Sequence, residues 1–559
     1  MKTGKINQEI SVADQLLVSD LPSLAAQGFK SIFCHRPDGE GPDQPSFHEI
    51  DVAAKALGLH TAYLPVTSGK VSDEDVAAFA SQFQHAPKPV LAYCRSGMRA
   101  ITLWSLQAAA STPLPELLSI GQQAGYDLSG LTLRLAAGKQ GGEVPVSHYT
   151  VVIIGGGAAG IAAASSLLSR DPSLEIALID PAETHYYQPG WTLVGGGVFS
   201  AESTVKTMAS VIPAGVKWIK AAVAGFDPQQ DRVILEGCRL VSYEKLIVCP
   251  GIKLNWGAIE GLNETLGRNG VTSNYRYDLA PYTWELVSQL KHGKAVFTQP
   301  PMPIKCAGAP QKAMYLSGDH WWRSGVLNDI QIDFYNAGAV LFGVKEYVPA
   351  LMQYVEKYHS HLHFSHRLTK VDGQAKRAWF AHTLADGSVQ EVETDFDLLH
   401  VVPPQHTPDF IRVSPLADTT GWIDVNPDTL QHKHFPNIYA LGDAANSPNA
   451  KTAAAARKQA PVVATNLLFD LRRGQKRAAY DGYGSCPLTV ERGKVVLAEF
   501  GYGGRLLPSF PQWLLNGQQP SRLAWILKER LLPPIYWKGM LKGHEWLATP
   551  QDVARQEQA

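Results

Sequence analysis

"YTVVIIGGGAAGIAAASSLLSR", residues 149–170, decides the fold. An apolar strand runs into Gly155, Gly157 and Gly160, and these glycines open an alanine-rich helix. The first glycine permits a tight turn, and the second lets a pyrophosphate approach the backbone. The third lets the helix pack closely on the strand, while the phosphate charge rests on the helix N-terminus. A further strand, "EIALID" (175–180), ends in Asp180, well placed to bond a ribose hydroxyl. A glycine run alone is a weak signal. Strand, helix and acidic residue in this order predict a dinucleotide site.

The matching half lies far downstream. "NIYALGDAAN" (437–446) is an apolar strand ending in Gly442 and Asp443. In flavoproteins with two dinucleotide-binding domains that pattern closes the FAD site, with the aspartate at the ribityl or pyrophosphate region. The expected cofactor is therefore FAD, and no metal is expected. The stretch between the two halves would be a second Rossmann-like domain, whose own strand, "KAVFTQ" (294–299), leads into "PPMPIKCAGAPQ" (300–311). A glycine-rich loop for NADH would belong there. Instead, prolines 300, 301 and 303 withhold backbone donors, and a thiol, Cys306, stands where a glycine would admit the pyrophosphate. An electron donor that reacts with sulfur is expected in place of a nicotinamide.

The chain has 559 residues, too many for one core, so two to four domains are expected. With 45% hydrophobic and 18% charged residues the composition is that of a globular protein, and a net charge of −1 gives no support to nucleic-acid binding. Six cysteines over this length do not make a disulfide framework and suit a reducing compartment. The first residues lack the apolar core of a signal peptide, and no window approaches a spanning helix. A cytoplasmic protein, peripherally associated with a membrane, is the expectation.

Residues 1–112 alternate strand and helix signals and read as a small α/β domain. Within it, "VLAYCRSGMRA" (90–100) places Cys94 between a strand and a helix, with Arg99 five residues later. Loop amides and a helix N-terminus favour a thiolate and hold an anion. A phosphatase cradle is C-x5-R. This loop is C-x4-R, the shorter ring of rhodanese-type sulfurtransferases, which holds a terminal sulfur. Sulfurtransferase is therefore preferred, with phosphatase and a non-catalytic domain left open.

Four stretches carry a family resemblance: "THYYQPGWTLVGGG" (184–197), "IKCAGAPQKAMYL" (304–316), "LQHKHFPNIYALGDAANSPNAKTAAAA" (430–456) and "YDGYGSCPLTVERGKVVLAEFGYGG" (480–504). Together they resemble the sulfide:quinone oxidoreductases, nearest to the group that includes the mitochondrial enzyme. The likeness spans roughly 148–559, and the N-terminal domain is similar to small phosphatase-like domains fused to sulfur-oxidising enzymes. The resemblance implies a monotopic flavoprotein that oxidises sulfide to sulfane sulfur and passes two electrons through FAD to quinone. It also implies that Cys306 handles the sulfur, that the segment with Gln188 and Trp191 lines the flavin pocket, and that Lys451 lies near the flavin or quinone. The family uses two redox cysteines, and the second is expected after the Gly-Asp pair, where this chain has Ala444. Cys249, ending the strand in "LIVCPG", is then the remaining candidate partner. Otherwise Cys306 works alone and hands a persulfide to Cys94 or a small thiol. An NAD(P)H:quinone reductase and a flavin-containing sulfur or redox sensor are the alternatives.

The expected order is a phosphatase-like or sulfurtransferase-like domain (1–112), a helical linker (113–147), and the FAD-binding domain in two parts (148–260 and 401–475). A second Rossmann-like domain (261–400) lies between those parts, and a quinone- and membrane-associated region (476–559) follows. In the last region, "RLAWILKERLLPPIYWKGMLKGHEWL" (522–547) mixes aromatic and basic residues in short helices, as interfacial segments do. The run "YHSHLHFSHR" (358–367) holds four histidines without a cysteine or carboxylate and reads as a strand. Cys34 receives no role, and Cys238 and Cys486 read as structural.

Overall fold

The computed structural model describes residues 3–41, 44–67, 71–137, 146–236 and 239–553, so Cys238 and residues 138–145 of the expected linker lie outside the described residues. The chain divides into two compact units. The first holds residues up to 148 together with 221–243 and 409–417, and the second holds the remainder.

The first unit is built on a five-stranded sheet in the order Thr3–Lys5, Ile10–Ala13, Val90–Tyr93, Ser31–Cys34 and His60–Tyr63. Only the first pairing is antiparallel. "VLAY" and "SIFC" are buried throughout, as parallel strands covered on both faces must be. Helices Phe47–Ala56 and Asp73–His85 start from reciprocal caps, Ser46 with Glu49 and Ser72 with Asp75. Helix Leu114–Gln123 shares a core with the antiparallel strands Val223–Asp227 and Arg232–Leu235, through Leu114, Leu117, Ala224 and Ile234. Cys34 and Cys94 emerge side by side at the carboxyl ends of adjacent strands, where open α/β sheets place their sites.

In the second unit Val216–Ile219, Ile176–Ile179, residues 149–154 and residues 244–248 are neighbours in one sheet, and Ile438–Ala440 pairs in parallel with the last. Helices Ala158–Arg170 and Ala453–Asp470 share this sheet's core. A second, fully parallel sheet runs Val271–Thr272, Leu398–His400, Gly293–Gln299, Ile330–Asn336, His361–Phe364. An antiparallel meander follows it (His366–Asp372, Arg377–Thr383, Val389–Asp395). The histidine run does have a carboxylate, supplied by the neighbouring strand: His361 and His363 lie 3.2 and 3.1 Å from Asp333.

The C-terminal part contributes a hairpin, Gly484–Glu491 with Lys494–Phe500, whose Cys486 and Leu488 pack with Met314 and Tyr315 of helix Ala309–Arg323. Short helical segments then cover 522–542, and among the described residues no helix is long and apolar enough to cross a membrane. Their inner side is core, since Trp525, Tyr536 and Leu541 are buried, while Leu523, Ile526 and Leu531 stay exposed.

Candidate active site

The glycine turn has the shape its sequence requires. Gly155 has φ +101, and a Cβ there would lie 2.5 Å from the carbonyl oxygen of Cys249. A Cβ on Gly160 would lie 1.9 Å from the Gly155 oxygen, so the helix can sit down on the turn only without one. Beside Gly157 the space is open, and a Cβ on it would meet nothing within 4 Å. Asp180 accepts the Gly156 N–H at 2.6 Å and the Ala182 N–H at 2.8 Å, which fixes its carboxylate at the turn.

Gly442 (φ +72) donates its N–H to Gln459 at 2.8 Å and delivers Asp443, whose carboxyl burial pushes up while Lys451 and Lys305 pull it back. Burial in turn lowers both ammonium groups to about 8. Lys305 reaches Gln188 at 2.7 Å and lies 5.5 Å from the centre of the Trp191 ring. The Trp191 indole N–H and the Gln405 amide nitrogen are buried without a protein partner close to this lysine. A cradle that admits no Cβ, an open helix N-terminus and unspent donors beside paired lysines fit a dinucleotide whose far end carries a polar ring.

Cys306 lies at the head of helix Ala309–Arg323, held in the left-handed region at φ +49, which a non-glycine residue adopts only when its surroundings impose it. Its N–H donates to the Lys451 carbonyl at 2.8 Å, and its own carbonyl accepts from Ala309 N at 2.7 Å and the Tyr275 hydroxyl at 3.2 Å. The Lys312 ammonium donates to its sulfur at 3.2 Å.

The sulfur beside it is Cys486. Hydrogen bonding from the Cys486 thiol, with the charges of Lys312 and Lys528, holds the Cys306 thiol well below its usual range. Cys486 is pushed well above it by the same bond and by burial. Lys528, from the C-terminal segment, is anchored by the Pro487 carbonyl at 3.0 Å and by Thr489 at 2.5 Å. Burial and Lys312 depress its ammonium, and the two cysteines partly restore it. Two hydrogen-bonded cysteines pushed in opposite directions and two buried lysines therefore share the site.

Two residues lie elsewhere than the sequence led one to expect: Cys486, expected to be structural, is hydrogen-bonded to Cys306, and Cys249, the candidate partner, packs in the core beneath the glycine turn. Cys249 is a packing residue beneath the glycine turn, its sulfur 3.8 Å from the Gly155 oxygen and its thiol pushed up by burial. Ala444, fully buried, lies between Asp443 and a strand-like bridge at Ala445. Lys451 directs its ammonium to the Ala445 carbonyl at 2.8 Å and lies 4.2 Å from the Trp422 ring centre, so only its backbone carbonyl touches Cys306. Lys312, Lys528 and the role of Cys486 are not evident from the sequence. The only trace is that Lys312 and Cys486 stand inside stretches carrying the family resemblance. A Cβ on Gly308 would meet the Cys486 sulfur at 2.5 Å, so this glycine lets Cys486 approach the turn that carries Cys306.

In the first unit Cys94 is buried at the loop 94–97, below helix Met98–Ala108. Gly97 has φ +84 and sits against the Tyr126 hydroxyl. The Arg99 guanidinium approaches the Cys94 thiol and is bonded to Glu40 and the Val66 carbonyl. Cys34 donates to the Arg36 carbonyl at 3.4 Å, and burial raises its thiol.

Two dinucleotide-type sheets with a paired, charge-tuned sulfur site at the head of the second sheet's helix define the disulphide-oxidoreductase class of flavoproteins. The family model for pyridine nucleotide-disulphide oxidoreductases matches residues 149–283, and the model for the phosphatase-like domain of beta-lactamase hydrolase-like proteins matches residues 4–111. The mitochondrial sulfide:quinone oxidoreductase of Dictyostelium discoideum is 40% identical over 396 residues, 70% of this chain and 86% of that protein. By that relationship the chain belongs to the sulfide:quinone oxidoreductase family. The solved sulfide:quinone oxidoreductase of Aquifex aeolicus shares the fold, with a TM-score of 0.60 at 18% identity over 71% of this chain and 92% of that one. The beta-lactamase hydrolase-like protein of Agrobacterium fabrum is 38% identical over 134 residues, 24% of this chain and 31% of that protein.

Proposed function

We propose that Cys306 and Cys486 are the redox pair at which sulfide is oxidised, with FAD as the two-electron acceptor and quinone as the final one. The observation that carries this reading is the asymmetric sulfur pair between Lys312 and Lys528. In the oxidised pair, hydrosulfide attacks the disulfide. The sulfur with the lower thiol pKa is the better leaving group. Attack therefore falls on Cys486, the S–S bond breaks, Cys306 departs as the thiolate, and a persulfide forms on Cys486. Lys312 steadies the departing thiolate, and Lys528 lies close enough to interact with both sulfurs.

An acceptor thiol then removes the terminal sulfur, and Cys94 of the first unit is the candidate this chain itself supplies. A bound flavin would supply the two-electron acceptor for the two cysteines and the donor for quinone. Gly155, Gly157, Gly160 and Asp180 would hold its nucleotide half, Gly442 and Asp443 its ribityl chain, and Gln188 and Trp191 its ring. Over one turnover, hydrogen sulfide, a thiol and a quinone become a hydropersulfide and a quinol, which balances in atoms and electrons. Trp513, Leu514, Leu523, Ile526 and Leu531, all exposed, support a peripheral membrane contact at which quinone is collected.

The test is anaerobic. Sulfide bleaches the flavin band of the purified protein, NADH does not, and Cys306→Ser and Cys486→Ser each abolish the bleaching. Bleaching by NADH alone overturns the proposal and returns the chain to the nicotinamide-dependent reductases.

A further inference from the structure

In the first unit, the arginine that would bind an anion at the Cys94 loop already holds one. Arg99 Nη1 and Nη2 donate to the two carboxylate oxygens of Glu40 at 2.9 and 2.8 Å, and Nη1 also reaches the Val66 carbonyl at 2.8 Å. This two-pronged geometry is the one a phosphate would use. Glu40 serves a second guanidinium as well. Arg36 donates to it through Nε at 2.9 Å and turns Nη1 to Gln15 at 2.7 Å.

The arginine side chains are only 9% and 6% exposed, whereas Glu40 is 26% exposed. Among the described residues two buried guanidiniums share the Glu40 carboxylate, and Arg36 also reaches a neutral amide, that of Gln15. Glu40 is the anion that offsets these buried charges, and the Cys94 thiol is a further side-chain partner of Arg99.

We propose that Glu40 sets the ligand class of this loop. Its carboxylate fills the oxyanion seat formed by Arg99 and Arg36, so phosphate monoesters are turned away. A sulfane sulfur on Cys94 needs no oxyanion seat and is still accommodated. The assignment of sulfur as the accepted ligand rests on the sulfurtransferase reading of the loop, whereas the exclusion of oxyanions rests on the Glu40 contacts alone.

The experiment uses the full-length protein, Glu40→Gln and Glu40→Asp, with inorganic phosphate as the probe. Phosphate affinity is read from protection of Cys94 against iodoacetamide, located by peptide mass. A hydrogen bond to a charged group is worth enough to change an equilibrium about tenfold or more. Glu40→Gln therefore binds phosphate at least about tenfold more tightly than the parent protein. Glu40→Asp, whose shorter carboxylate reaches fewer of the donors, falls between them and keeps the test open if Glu40→Gln does not fold. Equal protection in all three proteins, or no gain in either variant, overturns the proposal. Sulfur transfer from thiosulfate to cyanide is measured alongside. A gain in phosphate affinity without sulfur transfer in any protein leaves the Glu40 assignment standing and removes the sulfurtransferase reading. Sulfur transfer with unchanged phosphate affinity does the reverse.

Discussion

Gly308→Ala tests the placement of the sulfur pair. Gly308 has φ −86 and ψ −4, a conformation alanine adopts freely, so the substitution does not strain the backbone. The added methyl instead meets the Cys486 sulfur at 2.5 Å and the Leu488 Cδ2 at 2.4 Å. Ordinary contacts lie about 3.5–4.0 Å apart, so Cys486 must retreat by about 1 Å or the helix must lift. Overpacking of this kind costs about 1–3 kcal/mol, which a protein of this size tolerates. The kinetic penalty is larger, because a misplacement of about 1 Å between reacting groups costs about 100-fold. Anaerobic stopped-flow mixing with sulfide, followed at the flavin band, measures it. The flavin content of the variant, read from its spectrum, controls for folding. A roughly 100-fold slower bleaching at unchanged flavin content is the expected result. Bleaching at the parent rate in a fully loaded variant refutes the role of Cys486, since the two sulfurs could not then be reacting partners.

Three further outcomes follow from the same geometry. Cys306 labelling by iodoacetamide, in reduced protein, stays nearly flat from about pH 9 to about pH 7, across which an ordinary thiol of pKa about 8.5 loses about 25-fold. The sign follows from a thiol held well below the usual thiol range, which keeps the thiolate populated as pH falls. Lys312→Met removes the 3.2 Å donor and restores a steep pH dependence, with a loss of about tenfold or more at neutral pH. Gly160→Ala drives a Cβ to 1.9 Å from the Gly155 oxygen, so the purified variant carries far less flavin than the parent, measured by the ratio of flavin to protein absorbance. Cys249→Ala trims one core atom beneath the turn and retains sulfide-dependent bleaching, whereas Cys486→Ser loses it.

How much was legible depended on sequence distance. The glycine turn, its helix and Asp180 fall within about 30 residues of chain, and local spacing alone dictates their geometry. Cys306 was legible as an anomaly in a turn that should have been glycine-rich. Its partner was not. Cys486 lies 180 residues later on a strand buried almost throughout, so alternation gave no sign of which face it presents. Lys312 was hidden for the same reason, because residues Ala309–Asp319 are all buried and the helix shows no polar face to set a lysine apart. Lys528 reads as one basic residue among several in an amphipathic tail, and only folding brings its ammonium to Thr489. In the first unit the C-x4-R spacing exposed Cys94 and Arg99. Glu40, 59 residues before Arg99, became meaningful only when the fold closed the ion pair.

Whether Cys306 and Cys486 exchange electrons as a pair is best decided by non-reducing peptide mapping of the sulfide-free, air-oxidised protein. The peptide containing Cys306 is expected to be disulfide-linked to the peptide containing Cys486. Limited sulfide under anaerobic conditions should then replace this link with a persulfide on Cys486. A Cys306 peptide linked to Cys249, or free of any link in protein that still bleaches with sulfide, would contradict the pairing.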